Sequence, residues 1–365
     1  MGKRLLILTA GMGAGHDAVA GELERRVAPY GVEVSVVDVL DLVPLRLGRA
    51  LRRAYAGTIR SAPWLYAAVY RAFFVSGRPG PLRPPPPSPL TALIAARLER
   101  RVRELPPDAV VSTFHVAAQA AGRLRRSGGL DAPSLVLVTD FAVHRMWLHP
   151  GNDRYLCPDQ AAARAVTAAT GRPATMCAPL VSPELRSPDI EAGRERLRRA
   201  VGAGSDERVV LISAGAWGVG QVVEAAGVLA ASGRYRPAVL CGRNGRLRRR
   251  ILGTGLAPAL GWRDDVPQLM AGAYALVDNA AGMMCREAFA CGLPVISYRP
   301  IPGHGRDGAR AMARGGLSVH AHSPAELVEA LDRLADGALR HTRAARVDAL
   351  FSAEPAERAV CTALG

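Results

Sequence analysis

The run Gly11-Met12-Gly13-Ala14-Gly15-His16 follows an apolar stretch at residues 4–9 and precedes a helical pattern over residues 17–28. A histidine at a helix N-terminus meets the positive end of the dipole, which favours the neutral ring over imidazolium. A neutral imidazole at a sheet edge is suited to take a proton from a hydroxyl, so His16 is a candidate general base; a capping or structural role is the alternative. Gly13 and Gly15 let the loop backbone approach an acceptor or phosphate closely. Gly11 and Gly13 also fit the first two places of a dinucleotide fingerprint. Asp38 at the end of the next apolar run supports that reading, while His16 in the third glycine's place opposes it.

A second turn of this kind, Ser213-Ala214-Gly215-Ala216-Trp217-Gly218-Val219-Gly220, opens another helix. Gly215 and Gly218 allow backbone N–H groups near a diphosphate, whose charge the dipole favours; a ligand-free tight turn is the alternative. Arg243 and Asn244 follow the apolar run 238–242 at the same type of edge. The block 261–303 is richer still. It holds the turn Gly261-Trp262, then an apolar run and Asn279-Ala280-Ala281-Gly282. A short helix starts at Met283 and Met284, with Glu287 one turn in, and a second apolar run leads to Pro302-Gly303-His304-Gly305 and Asp307. This pattern puts a helix N-terminus and a carboxylate at the carboxyl edge of a parallel sheet, where open α/β sheets bind nucleotides. Glu287 can accept two ribose hydroxyls or simply complement the helix dipole. Asp140 ends the run 134–139, with His144 and Trp147 behind it, and His115 follows another apolar run; such positions tend to line a cleft. His149, His320, His322 and His341 read as surface residues.

Strand–turn–helix units must hold these residues. Apolar runs at 4–9, 32–39, 109–113, 134–139, 209–213 and 238–242 read as buried parallel strands alternating with helices, which makes the chain α/β. The proline-containing stretch 178–189 is the hinge candidate, dividing a domain at 1–180 from one at 181–345, with a C-terminal tail at 346–365. Residues 43–104 differ in texture: 12 Arg, no Lys and two acids, Glu99 and Glu104. Leu47, Leu51, Tyr55 and Ile59 recur there at helical spacing, and Trp64, Tyr66, Tyr70, Phe73 and Phe74 follow. Such a segment lies at an anionic membrane surface or packs as a helical hairpin inside its domain. The Pro-rich stretch 78–89 reads as irregular or polyproline-like.

The chain has 365 residues and net charge +15, carried by arginine, since Lys3 is the only lysine. That excludes a P-loop lysine and leaves no plausible pyridoxal lysine. Abundant Ala, Arg and Gly make codon bias the plain source of the charge, so nucleic acid is not expected as a partner. Six scattered cysteines form no CxxC and no zinc spacing, which fits a reducing cytoplasm. No apolar run is long enough to span a membrane, and the N-terminal run leads into a turn rather than a cleavage site.

Taken in order, LLILTAGMGAGHDAVA, VVDVLDL, APWLYAAVYRAFF, LVTDFAVHRMW and LCGRN resemble the monogalactosyldiacylglycerol-synthase family. The block 261–303 resembles the C-terminal domain that this family shares with MurG-type glycosyltransferases. The resemblance covers most of the chain, least at 78–108 and the last twenty residues. It implies a GT-B fold: two Rossmann-like, doubly wound domains facing a cleft. It further implies an acceptor lipid at the first domain and a nucleotide sugar, taken as a UDP-sugar, at the second. By the same resemblance His16 is the base toward the acceptor hydroxyl, with Asp140 and His144 on the acceptor side. Gly215 and Gly218 match the diphosphate turn, Gly261 and Trp262 the base-binding turn, and Glu287 the ribose-binding glutamate. Arg243, Asn244, Asn279, Gly282, Met283, Met284, His304 and Asp307 complete the donor side. No metal and no other cofactor is implied. The enzyme implied is an inverting hexosyltransferase on a diacylglycerol-like lipid, peripheral at the inner face of a bacterial plasma membrane. A glycosyltransferase for a soluble aglycone and a non-catalytic nucleotide-sugar-binding protein are the alternatives. The sequence departs from the family at Asn279-Ala280-Ala281, Met284 and His304-Gly305, on the diphosphate and sugar contacts, so the resemblance leaves the sugar open.

Overall fold

The computed structural model describes residues 2–44, 46–75 and 81–365. Residues 45 and 76–80, within the Arg-rich segment and the start of the Pro-rich stretch, lie outside the described residues. The chain divides into two compact units: residues up to Leu180 with Ser352–Gly365, and Val181–Phe351.

The first unit runs β1 (Arg4–Thr9), α1 (Ala14–Val27), β2 (Glu33–Asp38), α2 (Leu47–Ser61), α3 (Pro63–Phe73), α4 (Pro89–Glu104), β3 (Ala109–Ser112), α5 (His115–Arg126), β4 (Ser134–Leu137), β5 (Arg154–Cys157), α6 (Gln160–Thr170) and β6 (Ala174–Met176). Its sheet has the order β2-β1-β3-β4-β5-β6, and every pairing is parallel. β3 and β4 are buried along their whole length, as strands covered by helices on both faces must be. The helix expected at 17–28 begins three residues earlier. Gly13, at φ 124° and ψ 172°, makes the turn by itself and places His16 inside the first helical turn.

The second unit runs α7 (Ile190–Val201), β7 (Val209–Ser213), α8 (Val222–Ala231), β8 (Arg236–Leu240), α9 (Gly245–Thr254), β9 (Ala259–Leu260), α10 (Val266–Gly272), β10 (Ala275–Asp278), α11 (Met283–Ala290), β11 (Val295–Tyr298), α12 (His304–Arg314), β12 (Ser318–Ala321), α13 (Pro324–Asp332) and α14 (Gly337–Phe351). Its sheet is also parallel throughout, in the order β12-β11-β10-β7-β8-β9.

Residues 346–365, expected as a tail, hold the end of α14 and one further helix. After the end of α14 the chain forms α15 (Ala356–Leu364), which packs with the first unit. Ala359, Val360 and Leu364 are buried there, and Arg26 of α1 pairs with Glu357 at 3.3 Å.

Each sheet reverses its winding once. In the first unit the chain starts at β1, adds β2 on one side and returns to add β3 on the other. In the second it starts at β7, adds β8 and β9, and returns to add β10. The β1/β3 and β7/β10 boundaries are therefore the topological switch points, where strand ends splay apart and ligands bind.

Candidate functional site

At the β1/β3 switch point stands His16. Its Nδ1 lies 3.0 Å from the Thr113 carbonyl oxygen, just past β3, and 3.1 Å from the Thr139 hydroxyl oxygen. A carbonyl only accepts, so Nδ1 carries the proton and the neutral ring keeps its lone pair on Nε2. The Phe114 ring meets the imidazole edge-on at 5.1 Å. Thr113 was not singled out in the sequence, and Thr139 only as part of the Thr-Asp strand end of the resemblance; each closes an apolar run, which is the signal that could have found both.

Gly11 donates its N–H to Asp38 Oδ2 at 2.8 Å, and Arg52 of α2 reaches the same oxygen at 2.5 Å and Asp41 at 3.0 Å. The other oxygen accepts the Leu40 N–H at 2.9 Å. Both Asp38 oxygens thus tie the glycine turn to β2 and α2, where a dinucleotide reading needs them for a ribose. Asp140 takes the indole N–H of the fully buried Trp147 at 2.7 Å and lies 3.2 Å from His144 Nε2. The carboxylate therefore orients His144, while a backbone carbonyl orients His16. Ring contacts run on from His16 through Phe114 and His115 to Phe74, Tyr70 and His144.

Those last aromatics settle how α2 and α3 use their two faces. Tyr66 and Tyr70 are 4% and 3% exposed and pack inward, whereas Trp64 and Phe73 are 72% and 63% exposed. Leu47, Leu51, Leu65 and Val69 are exposed as well, so the stripe of Leu47, Leu51, Tyr55 and Ile59 is not one buried seam. The buried tyrosines fit the expectation of packing inside the domain, while α3 also carries exposed aromatic side chains. His149, expected at the surface, is half-buried between Gly122 and Gly151, and burial together with Arg126 and Arg123 pulls its pKa down to about 4.

In the second unit the turns after β7, β8 and β10 interlock. Asn279 donates its side-chain N–H to Val219 O at 2.9 Å, across the β7/β10 switch point. Asn244 caps α9 through Leu247 N–H and donates to Gly218 O at 2.9 Å. Gly218 and Gly220 have φ of 62° and 96°, and a Cβ on them would stand 2.3 Å from Asn244 and 1.9 Å from Asn279, so only glycine closes this turn. Gly215 has φ 66° in the same turn. Arg243 donates its backbone N–H to Ala216 O at 2.9 Å, and its guanidinium covers the Trp262 indole at 3.8 Å, just past Gly261.

Gly282 precedes α11 without a side-chain cap, and Met283 and Met284 open the helix half-buried. Glu287 lies in the next turn, and burial pushes its carboxyl up to about 7. His304 opens α12, with Asp307 in its first turn; this helix is joined to the β10 turn through Ile301 N–H and Asn279 O at 2.8 Å. Asp278, also not singled out, is buried and receives the Ala280 and Ala281 N–H groups at 2.8 and 2.6 Å. It shapes the turn that presents α11, and its burial raises its pKa. Gly13 and Gly15 lie at the start of α1.

The expected residues thus gather at two edges, one in each unit. Residues 16–176 match the family model for monogalactosyldiacylglycerol (MGDG) synthase. Over nearly the whole chain the protein is similar to processive diacylglycerol beta-glucosyltransferases. The protein of Bacillus cereus (strain AH187) is 26% identical over 384 residues, covering 99% of this chain and 93% of that one. That of Bacillus cytotoxicus is 25% identical, covering 89% and 84%. Among solved structures, MurG of Acinetobacter baumannii aligns with TM-score 0.62 at 15% identity, covering 99% of each chain. Anabaena Alr3699/HepE in complex with UDP-glucose aligns with TM-score 0.57 at 16% identity, covering 99% and 98%. These likenesses establish the GT-B fold.

Proposed function

We infer that this chain, a glycosyltransferase of the GT-B fold, moves a hexosyl unit from a UDP-sugar to the hydroxyl of a diacylglycerol-like lipid, with inversion. His16 carries the reading. Its Nδ1–H is held by the Thr113 carbonyl at a switch point, so the lone pair of the neutral ring is on Nε2, the form a general base needs. In the reaction, Nε2 takes the acceptor proton as the acceptor oxygen bonds to the anomeric carbon. The bond from that carbon to the diphosphate oxygen breaks, and UDP leaves with the electron pair. Asp140 and His144 shape the acceptor side.

The first unit takes the lipid and the second the donor. There Glu287 receives the ribose hydroxyls. The turn from Gly215 to Gly220 and the N-termini of α11 and α12 face the charge that grows on the diphosphate. In this reading backbone amides, rather than a metal, offset that charge. The relatives glycosylate diacylglycerol by name, which supports the acceptor class.

The outer face of α2 and α3 supports a membrane surface as the place of work. Exposed Arg49 and Arg53 on α2 and exposed Trp64 and Phe73 on α3 supply the composition of a segment lying in the headgroup region of anionic lipid. Among the described residues no helix is long and apolar enough to cross a membrane. In our reading the enzyme works peripherally at the inner face of the plasma membrane, and the exposed apolar and basic side chains of α2 and α3 support that. A thermal-shift screen of nucleotide sugars followed by transfer to diacylglycerol vesicles tests this. A UDP-hexose that raises the melting temperature and yields a glycolipid is expected. Transfer to a soluble alcohol but none to vesicles favours the soluble-aglycone reading, and no shift with any nucleotide sugar favours a non-catalytic one.

A further inference from the structure

Trp262 departs from the usual behaviour of a large aromatic. It is 45% exposed, yet two contacts hold its ring in one orientation. The Arg243 guanidinium lies over one face, 3.8 Å from the ring centroid, and the indole N–H is directed at Asp264 Oδ1 at 3.2 Å. The turn beneath is also tied down, because Arg263 grips Asp265 through two hydrogen bonds of 2.6 Å. Stability alone does not call for an exposed indole set this firmly.

Arg243 connects two parts of the same edge. Its backbone N–H is bonded to Ala216 in the glycine turn, and its side chain reaches the β9 turn. A planar cation against one face leaves the other face of the indole for a planar ligand. Bases stack on such rings because every base has a π-face. A ring already oriented loses less freedom when the base arrives.

We propose that Arg243 is a positioning residue that holds Trp262 as the stacking platform for the donor nucleobase. This rests on the reading of the second unit as the donor site. Arg243 acts through the indole: the guanidinium fixes the ring, and the ring meets the base. A direct contact between Arg243 and the diphosphate would be a different role, and the two separate in a double-mutant cycle.

The experiment is calorimetric titration of the full chain with UDP, for the wild type, Arg243→Met, Trp262→Ala and the double variant, with thermal melts as fold controls. Both side chains are exposed, so the variants are expected to melt as the wild type does. Loss of an exposed cation–π contact predicts about a two- to fivefold weaker UDP affinity for Arg243→Met. The same substitution in the Trp262→Ala background is expected to change nothing further. Arg243→Lys, which keeps the charge without the plane, is expected to restore part of the affinity. An unchanged affinity in Arg243→Met overturns the proposal. So does an equal loss in both backgrounds, which would assign Arg243 to the phosphates. Absence of UDP binding by the wild type overturns the donor reading and this proposal with it.

Discussion

The pairing of His16 Nδ1 with the Thr113 carbonyl sets its tautomer. In the proposed mechanism Nε2 takes its proton only when the acceptor hydroxyl loses one. Gly13 sits at φ 124° and ψ 172°, a region open essentially to glycine, and nothing crowds its missing side chain. Gly13→Ala is therefore expected to cost about 1–3 kcal/mol from backbone strain alone, read in a denaturant melt. Glu287 adds a pH dependence of definite sign. Burial raises its carboxyl from 4.5 to about 7, so the stability it contributes is full below 4.5 and lost as pH rises through about 7. In the absence of donor, Glu287→Gln should be the more stable protein at pH 8, by up to about 3 kcal/mol. Donor affinity should run the other way. The ionised carboxylate is the better acceptor for two ribose hydroxyls, so UDP binding strengthens from pH 6 to 8 more steeply in the wild type than in Glu287→Gln, where only the ionisation of the diphosphate itself remains. A wild-type affinity no more dependent on pH than that of Glu287→Gln would remove Glu287 from the ribose.

At the scale of elements, α2 and α3 divide their labour between two faces. Trp64→Ser with Phe73→Ser is expected to leave stability within about 0.5 kcal/mol, because both side chains are largely exposed. The same variant should sediment with anionic vesicles at least about tenfold less, and added salt should weaken what remains. Tyr70→Ala is expected to cost about 3 kcal/mol or more, since its ring is buried against Phe74 and His144. Equal vesicle binding by the outward pair and the wild type would return the hairpin to a purely internal role. The sequence could not choose between these faces, because leucine and arginine alternate along α2 and the helical period alone does not say which side meets the sheet. It did show the glycine turns, the strand runs and the short helix carrying Glu287. It did not show that Asn279 reaches Val219 or that Thr113 holds His16, since both contacts join strand ends far apart in the chain. Strand order decides such contacts, and periodicity carries no strand order.

At the scale of the whole molecule, the chain returns to its beginning. α15 adds Val360 and Leu364 to the buried interior of the first unit and ties α1 through Glu357 and Arg26. A chain ending at residue 351 should lose several kcal/mol from the first unit, seen as a lower melting temperature, while UDP still protects the second. Two units with parallel sheets, each with candidate residues past its strand ends, suit the proposed two-substrate transferase: one edge for the nucleotide and one for the hydroxyl. The central claim is that His16 takes the acceptor proton. It is tested most directly by transfer from the best UDP-hexose to diacylglycerol vesicles in wild type and His16→Ala, with UDP affinity measured alongside. The account predicts a loss of about 10²- to 10⁴-fold in turnover with UDP affinity kept. Turnover within a fewfold of wild type would contradict it.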